Sequence, residues 1–141
     1  MIEVYTDGSC LGNPGKGGWA FLVNYNDKII TKSGYSDFTT NNQMELTAAI
    51  KALLFLKEHN ELIIFTDSNY LKDGINLWIE NWKKNNWLTS QKKPVKNQNL
   101  WKELDQLIRG KKITWRWVKG HSINSHNNTV DELARKAAET V

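Results

Sequence analysis

The sequence has little of what crosslinks or interrupts a chain. Its 141 residues include one cysteine, Cys10, and two prolines. A single cysteine excludes an intramolecular disulfide framework and a zinc site built from several thiolates. The sequence contains no apolar run of roughly 18 residues, the length that a membrane-spanning helix needs. The amino terminus also lacks the basic and then apolar pattern of a secretion signal. We therefore expect a cytoplasmic protein without membrane contact.

The remaining composition is typical of one globular domain. Apolar residues make up 40% of the sequence and charged residues 24%, with 9 glycines. This balance excludes a disordered or collagen-like chain. The length fits a single domain, residues 1–141, and the sequence shows neither a long repeat nor a linker.

Charge is distributed unevenly along the chain. Residues 72–119 contain 12 Lys and Arg against 4 Asp and Glu, whereas the other residues contain 7 against 11. The same stretch contains six of the seven tryptophans: Trp78, Trp82, Trp87, Trp101, Trp115 and Trp117. Cations interleaved with aromatic rings suit a polyanion such as nucleic acid. The alternative is a solvated helix face over a Trp-rich core, and charge alone does not decide between the two.

Hydrophobic periodicity predicts the order of strands and helices. The predicted strands are residues 2–6, 19–25, 29–35, 62–65 and 113–118. The predicted helices are residues 44–56, one or two helices over 68–84, then 99–109 and 128–140, with a polar, basic loop over 85–97. Asn26 and Asp27 are typical of a hairpin turn. The order βββαβααβα predicts an α/β domain with a mixed sheet.

Two predicted strands end in the same short pattern. The sequences VYTDGS at residues 4–9 and IFTDSN at residues 64–69 both lead from an aromatic residue through threonine to aspartate. Ligands of open α/β sheets bind at such strand ends, where two carboxylates repel each other unless a cation lies between them. The alternative is that Asp7 lies in a turn and Asp67 starts a helix. Because the pattern is repeated, we favour a shared site.

Two further acids, Glu45 and Asp131, are candidates for the same site. Each stands three residues after an asparagine, Asn42 or Asn128, that is expected to cap a helix, and this role alone could explain it. Four carboxylates without a cysteine or histidine cluster suit hard cations such as Mg²⁺ or Mn²⁺. Two such ions about 4 Å apart can bracket a phosphoryl displacement, so phosphodiester hydrolysis is implied. His121, ten residues before Asp131, could move protons near such a cluster.

Several motifs follow one another in a specific order. They are YTDGSC at 5–10 with GNPG at 12–15, TNNQMEL at 40–46, TDS at 66–68, WVKGH at 117–121 and DELA at 131–134. In this order they resemble type 1 ribonuclease H, especially its bacterial form, over nearly the whole chain. The resemblance implies a ribonuclease H-like α/β fold, with a five-stranded mixed sheet of three antiparallel and then parallel strands flanked by helices.

The resemblance also implies an activity and its site. The protein is then expected to be a Mg²⁺-dependent endoribonuclease that hydrolyses the RNA strand of RNA·DNA hybrids with two metal ions, with Mn²⁺ as a substitute. The expected products carry 3′-hydroxyl and 5′-phosphate ends. The residues that match the metal-binding, catalytic carboxylates are Asp7, Glu45, Asp67 and Asp131, and His121 matches a loop histidine that assists catalysis. We expect a monomer without an obligate protein partner.

Substrate contacts follow from the same resemblance, including contacts to the 2′-hydroxyl groups that distinguish RNA from DNA. The matching positions near the carboxylates are Gly8, Cys10, Asn13, Thr40, Asn41, Asn42 and Asn69. Residues from about 76 to 98 match a basic protrusion that grips the DNA strand, with Trp78, Trp82, Lys83, Lys84, Trp87, Lys92 and Lys93. The departures from the family pattern are Asn69 for a usual glutamine, Ser122-Ile123-Asn124 after the histidine, and Asn128 for a frequent glutamate.

Two other interpretations stay open at this point. One is the ribonuclease H domain of a reverse transcriptase, or another nuclease or integrase relative. The other is a noncatalytic nucleic-acid-binding module whose acids only cap helices. Cleavage of hybrid, duplex and single-stranded substrates with and without Mg²⁺ separates all three.

Overall fold

The computed structural model describes residues 2–118 and 125–140. Its strands are β1 (Ile2–Cys10), β2 (Gly15–Tyr25), β3 (Lys28–Thr39), β4 (Glu61–Thr66) and β5 (Lys112–Trp117). Its helices are α1 (Asn41–Phe55), α2 (Asn69–Asp73), α3 (Ile79–Lys84), α4 (Gln98–Ile108) and α5 (Ser125–Thr140). A π-helical turn (Gly74–Trp78) joins α2 to α3. Every predicted strand and helix is present, and the strands β1 to β3 are longer than predicted.

The five strands form one mixed sheet in the order β3-β2-β1-β4-β5. β2 is antiparallel to both β1 and β3, β4 is parallel to β1, and β5 is parallel to β4. Asn26 and Asp27 form the two-residue loop between β2 and β3 with positive φ angles of 50° and 66°, which suit the twist of an antiparallel pair. The predicted architecture, three antiparallel strands followed by parallel ones, is confirmed.

Helices cover both faces of the sheet. Alternate side chains of β1 point to opposite faces, so Val4 packs with Leu46 of α1 while Tyr5 packs with Val130 of α5. The helix α4 packs on α1 and places the fully buried Trp101 in the larger core. The central strands β1 and β4 are therefore held from the α1 side and β1 also from the α5 side.

Two predicted helix starts are wrong. The cap of α1 is Thr40, not Asn42, because the Thr40 hydroxyl accepts a hydrogen bond from the Gln43 amide at 3.2 Å. The helix α5 begins at Ser125, so Asn128 lies within it. The acids that follow these two asparagines are therefore not capping-box residues, and their positions need another explanation.

Residues 76–98, hereafter the basic arm, lead from the π-helical turn to α4. The arm contains α3 and a loop in which Leu88 pairs with Pro94 as an isolated antiparallel bridge. Its three tryptophans are half-buried and pack against the larger core, and the ring centroid of Trp82 lies 5.4 Å from that of Trp101. The tryptophans therefore anchor the arm, as the Trp-rich-core interpretation expected, and their contact with a substrate stays a prediction.

Candidate active site

The parallel pairing of β1 with β4 places two aspartates side by side. The last paired residues are Tyr5 and Phe65, whose rings stack at a centroid distance of 4.4 Å. Asp7 and Asp67 stand two residues further along. The repeated sequence pattern thus occupies the same register on neighbouring strands, and this register brings the two carboxylates to one edge of the sheet.

Glu45 joins the aspartates because α1 approaches β1 closely at Gly8. A Cβ atom at Gly8 would collide with the backbone of Met44 and Glu45, so this approach requires glycine. One ligand oxygen from each of Asp7, Glu45 and Asp67 lies within 4.8 Å of the others. Asp7 and Glu45 are only 4% and 5% exposed, whereas Asp67 is half-buried. These three residues, hereafter the carboxylate cluster, therefore open to solvent on the Asp67 side.

Asp131 lies at the rim of the carboxylate cluster. It is exposed on α5 and is not among the carboxylates that lie within 4.8 Å of one another. A side-chain hydrogen bond joins the carboxyl groups of Asp7 and Asp131 and contributes to the raised pKa of Asp7. The structure thus brings all four predicted acids together, three in a tight group and the fourth from the opposite face of the sheet.

Burial and mutual repulsion raise the pKa of the buried acids. Burial first, and then the negative charges of Glu45, Asp67 and Asp131, raise the pKa of Asp7 to about 11. Burial and the charge of Asp67 also raise the pKa of Glu45 well above its usual range, although the Gly8 N–H donates to the Glu45 carboxylate and opposes this shift. Among the described residues, neither Asp7 Oδ2 nor Glu45 Oε1, both of which are buried, has a hydrogen-bond partner. Because unpartnered buried oxygens are costly, the cluster favours a cationic ligand.

A polar cleft of about 220 Å³ lies beside the amino end of α1. The residues that line it are Asn13, Pro14, Thr40, Asn42, Lys96 and Asn97. Asn13 Oδ1 accepts a hydrogen bond from the Asn41 amide at 2.9 Å, which ties the turn after β1 to α1. Four predicted substrate contacts, Asn13, Thr40, Asn41 and Asn42, are therefore neighbours in space.

The other predicted contacts near the cluster have different surroundings. Gly8 is buried against α1, and its N–H already donates to Glu45. Cys10 is half-buried, and its thiol donates to the Thr39 carbonyl at 3.4 Å. Asn69 is exposed at the first residue of α2. Of these three residues, Asn69 has the side chain that is most open to a substrate.

The predicted lysines of the arm divide into two groups. Lys83 Nζ lies 3.4 Å from the carboxylate of Asp105, which is 4% exposed. Arg109 Nη2 pairs with the same carboxylate at 3.0 Å, so Lys83 is one of two cations that offset this buried charge. The other three predicted lysines, Lys84, Lys92 and Lys93, are exposed. Two of them, Lys84 and Lys92, line a cleft of about 570 Å³ in the arm, and their contact with phosphates stays a prediction.

One predicted site residue lies outside the described part of the chain, and two residues of the polar cleft were not predicted. His121 and the three residues after it lie outside the described part of the chain, so the loop histidine stays a prediction. Lys96 and Asn97 line the polar cleft although they are not among the predicted contacts. In the sequence they are marked only by their position in the basic loop, and this position does not distinguish them from the other residues of the loop.

Comparison with known proteins agrees with this geometry. The sequence matches the RNase H family over residues 1–139. It is 52% identical over 138 residues to a ribonuclease H from Brucella anthropi, with coverage of 98% of this chain and 90% of that protein. The crystal structure of LC9-RNase H1, a type 1 RNase H with the type 2 active-site motif, matches with a TM-score of 0.87 at 32% identity, over 99% of this chain and 72% of that one.

LC11-RNase H1, solved in complex with an RNA/DNA hybrid, has the same fold. Its TM-score is 0.77 at 21% identity, over 99% of this chain and 98% of that one. The family match and the identity to the Brucella protein both extend over nearly the full length of this chain. The chain therefore belongs to the ribonuclease H family.

Proposed function

We propose that this ribonuclease H family member is an endoribonuclease that cuts the RNA strand of RNA·DNA hybrids at the carboxylate cluster. The observation that carries the proposal is a pair of buried oxygens, Asp7 Oδ2 and Glu45 Oε1, that find no partner in the described part of the chain and lie in a group of acids within 4.8 Å of one another. Acids that only cap helices or close turns have no reason to be buried against each other. This argues against a noncatalytic binding module.

The residues of the cluster fit a divalent metal. All donors are carboxylate oxygens, a set that suits Mg²⁺, with Mn²⁺ as a substitute. Asp7, Glu45 and Asp67 would hold the metal, and Asp131 would add a ligand at the rim. When bound, a pair of ions supplies activation of water and charge stabilisation on the leaving oxygen, the two-metal mode of hydrolysis that leaves 3′-hydroxyl and 5′-phosphate ends.

The side chains of the cluster have separate tasks in this proposal. The Gly8 N–H orients the Glu45 carboxylate by donating a hydrogen bond to it. Because metal ligands must be deprotonated, a bound metal would oppose the burial and repulsion that raise the pKa of Asp7. His121 is the proposed proton carrier beside the cluster, on the basis of the family resemblance and the chemistry of imidazole.

The polar cleft and the basic arm are the proposed substrate contacts. The cleft offers the amides of Asn13 and Asn42, the Thr40 hydroxyl and the Lys96 ammonium, a set that can bind a backbone phosphate and a sugar hydroxyl. The exposed lysines of the arm suit the phosphates of the DNA strand. The hybrid bound in the LC11-RNase H1 structure, which has the same fold, supports this choice of substrate.

Assembly and location are further parts of the proposal. Among residues 2–118 and 125–140, no helix is long and apolar enough to cross a membrane. We propose a cytoplasmic monomer without an obligate protein partner. Sedimentation of the protein alone and with hybrid measures the monomer prediction, and a stable dimer without nucleic acid would contradict it.

In the deciding experiment, the protein is incubated with one labelled sequence prepared as a hybrid, an RNA duplex, a DNA duplex and a single strand. Each substrate is tested with chelator, with Mg²⁺ and with Mn²⁺. We expect cleavage of the RNA strand in the hybrid, and only with metal. Direct ligation of the fragments, without prior phosphorylation, checks for 5′-phosphate and 3′-hydroxyl ends. Cutting of DNA would favour an integrase relative, and binding without cutting would favour the noncatalytic module.

A further inference from the structure

A chain of side-chain hydrogen bonds links the start of α1 to the basic arm. The Thr39 hydroxyl donates to Gln43 Oε1 at 2.8 Å, and Gln43 Nε2 donates to Asn97 Oδ1 at 3.1 Å. Asn97 Nδ2 donates to the Tyr70 hydroxyl at 3.1 Å, and this hydroxyl also accepts a hydrogen bond from Trp101 Nε1 at 3.0 Å. Side chains from β3, α1, α2, α4 and the arm are thus joined in one polar bridge.

The bridge connects the arm to both elements that position acids of the cluster. Gln43 lies two residues before Glu45 on α1, and Tyr70 lies three residues after Asp67. Asn97, the central residue of the bridge, leads from the arm into α4. A displacement of Asn97 therefore changes the distance between the arm and these acids.

Asn97 does not use its side chain in the way that its position in the helix favours. An asparagine at a helix N-cap usually accepts a hydrogen bond from an amide of the first turn. Asn97 makes no such bond, and its backbone is left-handed, with φ 59° and ψ 31°. Both polar atoms of its side chain bond to Gln43 and Tyr70 instead. The bridge, rather than the helix, therefore orients this side chain.

Both ends of the bridge are anchored in packed structure. Trp101 is fully buried, and its ring centroid lies 5.3 Å from that of Tyr70. A Cβ atom at Gly74 would collide with the Trp101 ring, so the helical segment after Tyr70 lies directly on α4. At the other end, Gln43 belongs to the helix that is pressed against Gly8. A bridge between two anchored ends can hold the arm at one offset from the cluster.

We infer that Gln43 and Tyr70 are positioning residues that set, through Asn97, the offset between the basic arm and the carboxylate cluster. The inference rests on the proposed function, in which the arm holds the DNA strand and the cluster cuts the RNA strand. In a substrate that is held at both places, this offset selects the phosphate that lies over the acids. The bridge therefore determines where along a hybrid the cut falls.

The test maps cuts in a hybrid of defined sequence whose RNA strand carries an end label. Gln43→Met and Tyr70→Phe each remove one member of the bridge with little change in size, and Gln106→Met, at an exposed position of α4, is the matched control. We expect both bridge variants to spread the cuts onto neighbouring phosphates. We also expect kcat/KM to fall about two- to tenfold, mainly through KM, as the loss of one hydrogen bond predicts. The control should keep the parent's pattern.

A double variant tests whether the two residues act through Asn97. If they do, Gln43→Met with Tyr70→Phe should give the same cut pattern as either single variant, whereas independent effects would add. Tyr70→Phe leaves Trp101 Nε1 without its acceptor and can lower the melting temperature, so cuts are mapped well below each variant's melting transition. Gln43 is half-buried, and Gln43→Met keeps the test valid if Tyr70→Phe fails to fold.

The outcomes separate this inference from the proposed function. Suppose the parent cuts the hybrid and loss of the arm lysines raises KM, but the folded Gln43→Met variant cuts at the parent's phosphates. The inference is then overturned and the proposed function stands. An equal spread of cuts in Gln106→Met would also overturn it. A parent that does not cut hybrids would overturn the proposed function itself.

Discussion

The carboxylate cluster and the basic arm use charge in opposite ways. In the cluster, carboxyl groups from the central strand β1, from the end of the neighbouring strand β4 and from α1 lie within 4.8 Å of one another, and those of Asp7 and Glu45 are buried. In the arm, the lysines are exposed on a helix end and a loop, and one of them, Lys83, is also paired with a buried acid, Asp105. Phosphodiester chemistry requires fixed positions even where repulsion destabilises the fold, whereas affinity for a polyanion requires mainly a density of positive charge.

The contrast predicts that the two regions fail separately when they are mutated. The largest effect is expected for Asp67→Asn, which removes one negative charge from the cluster at constant size. We expect turnover to fall by at least about a thousandfold, because a metal-dependent step loses a ligand. Affinity for hybrid, measured by fluorescence anisotropy, should change less than about threefold, because the arm is intact.

Asp27→Asn is the matched control for this change. Asp27 is exposed in the β2–β3 hairpin with a φ angle of 66°, a conformation that asparagine adopts equally well. Its turnover should equal that of the parent. Turnover in Asp67→Asn within about tenfold of the parent would refute the assignment of this carboxylate to the cutting step.

His121→Ala should have the next largest effect, a loss of turnover between about tenfold and a thousandfold. General acid–base help adds to the activation that the metal provides, so residual activity is expected. The measurement is turnover as a function of pH. The variant's profile should lack the change in turnover that titration of the imidazole causes in the parent. A variant as active as the parent would show that the unusual residues 122–124 have displaced the histidine from its task.

On the side of the arm, replacement of Lys84, Lys92 and Lys93 by alanine should raise KM by about tenfold and leave kcat nearly unchanged. With fewer phosphate contacts, binding releases fewer counterions from the nucleic acid. The decrease of affinity with salt concentration should therefore become less steep. The control replaces the exposed lysines Lys28, Lys57 and Lys112, which lie outside the arm. An equal salt slope in both triple variants would show that the arm is only a solvated face.

The smallest effect concerns stability and reverses the usual sign of a substitution at a buried site. Asp7→Asn should stabilise the metal-free protein by about 1 kcal/mol and raise its melting temperature by about 3 °C, because burial and the neighbouring acids force folded Asp7 to keep its proton at a cost that neutral asparagine does not have. Millimolar Mg²⁺ should stabilise the parent by mass action and the variant less. A variant less stable than its parent in chelator, with no Mg²⁺ effect on either, would contradict the cluster.

The pH dependence of this effect also has a definite sign. The surroundings of Asp7 in the fold raise its pKa from 3.8 to about 11. Between these values the folded chain binds more protons than the unfolded chain, so this group lowers the free energy of unfolding as pH rises. The gain from Asp7→Asn should therefore be larger near pH 8 than near pH 5, and a gain that shrinks with pH would contradict the shift.

The sheet and the meeting of its aspartates could be predicted from local patterns. Alternation of period two reports which residues of a strand share a face, and the repeated aromatic-Thr-Asp pattern reports register when two strands run parallel. Asp7 and Asp67 meet for this reason. The same reasoning could not distinguish Thr40 from Asn42 as the cap of α1, because both residue types make good caps. In the structure, where Thr40 is the cap, α1 packs closely on Gly8.

The sequence by itself determined the order of elements, the mixed sheet, the uneven charge and the residue types of the candidate site, since these follow from periodicity and composition. The tertiary structure alone decided that Glu45 is buried while Asp131 stays at the rim, that Lys83 is paired with Asp105, and that Asn97 bridges the arm to α1 and α2. The physical reason is distance along the chain: Gln43 and Asn97 are 54 residues apart, and no local pattern records which distant side chain a polar group will meet once the core has packed.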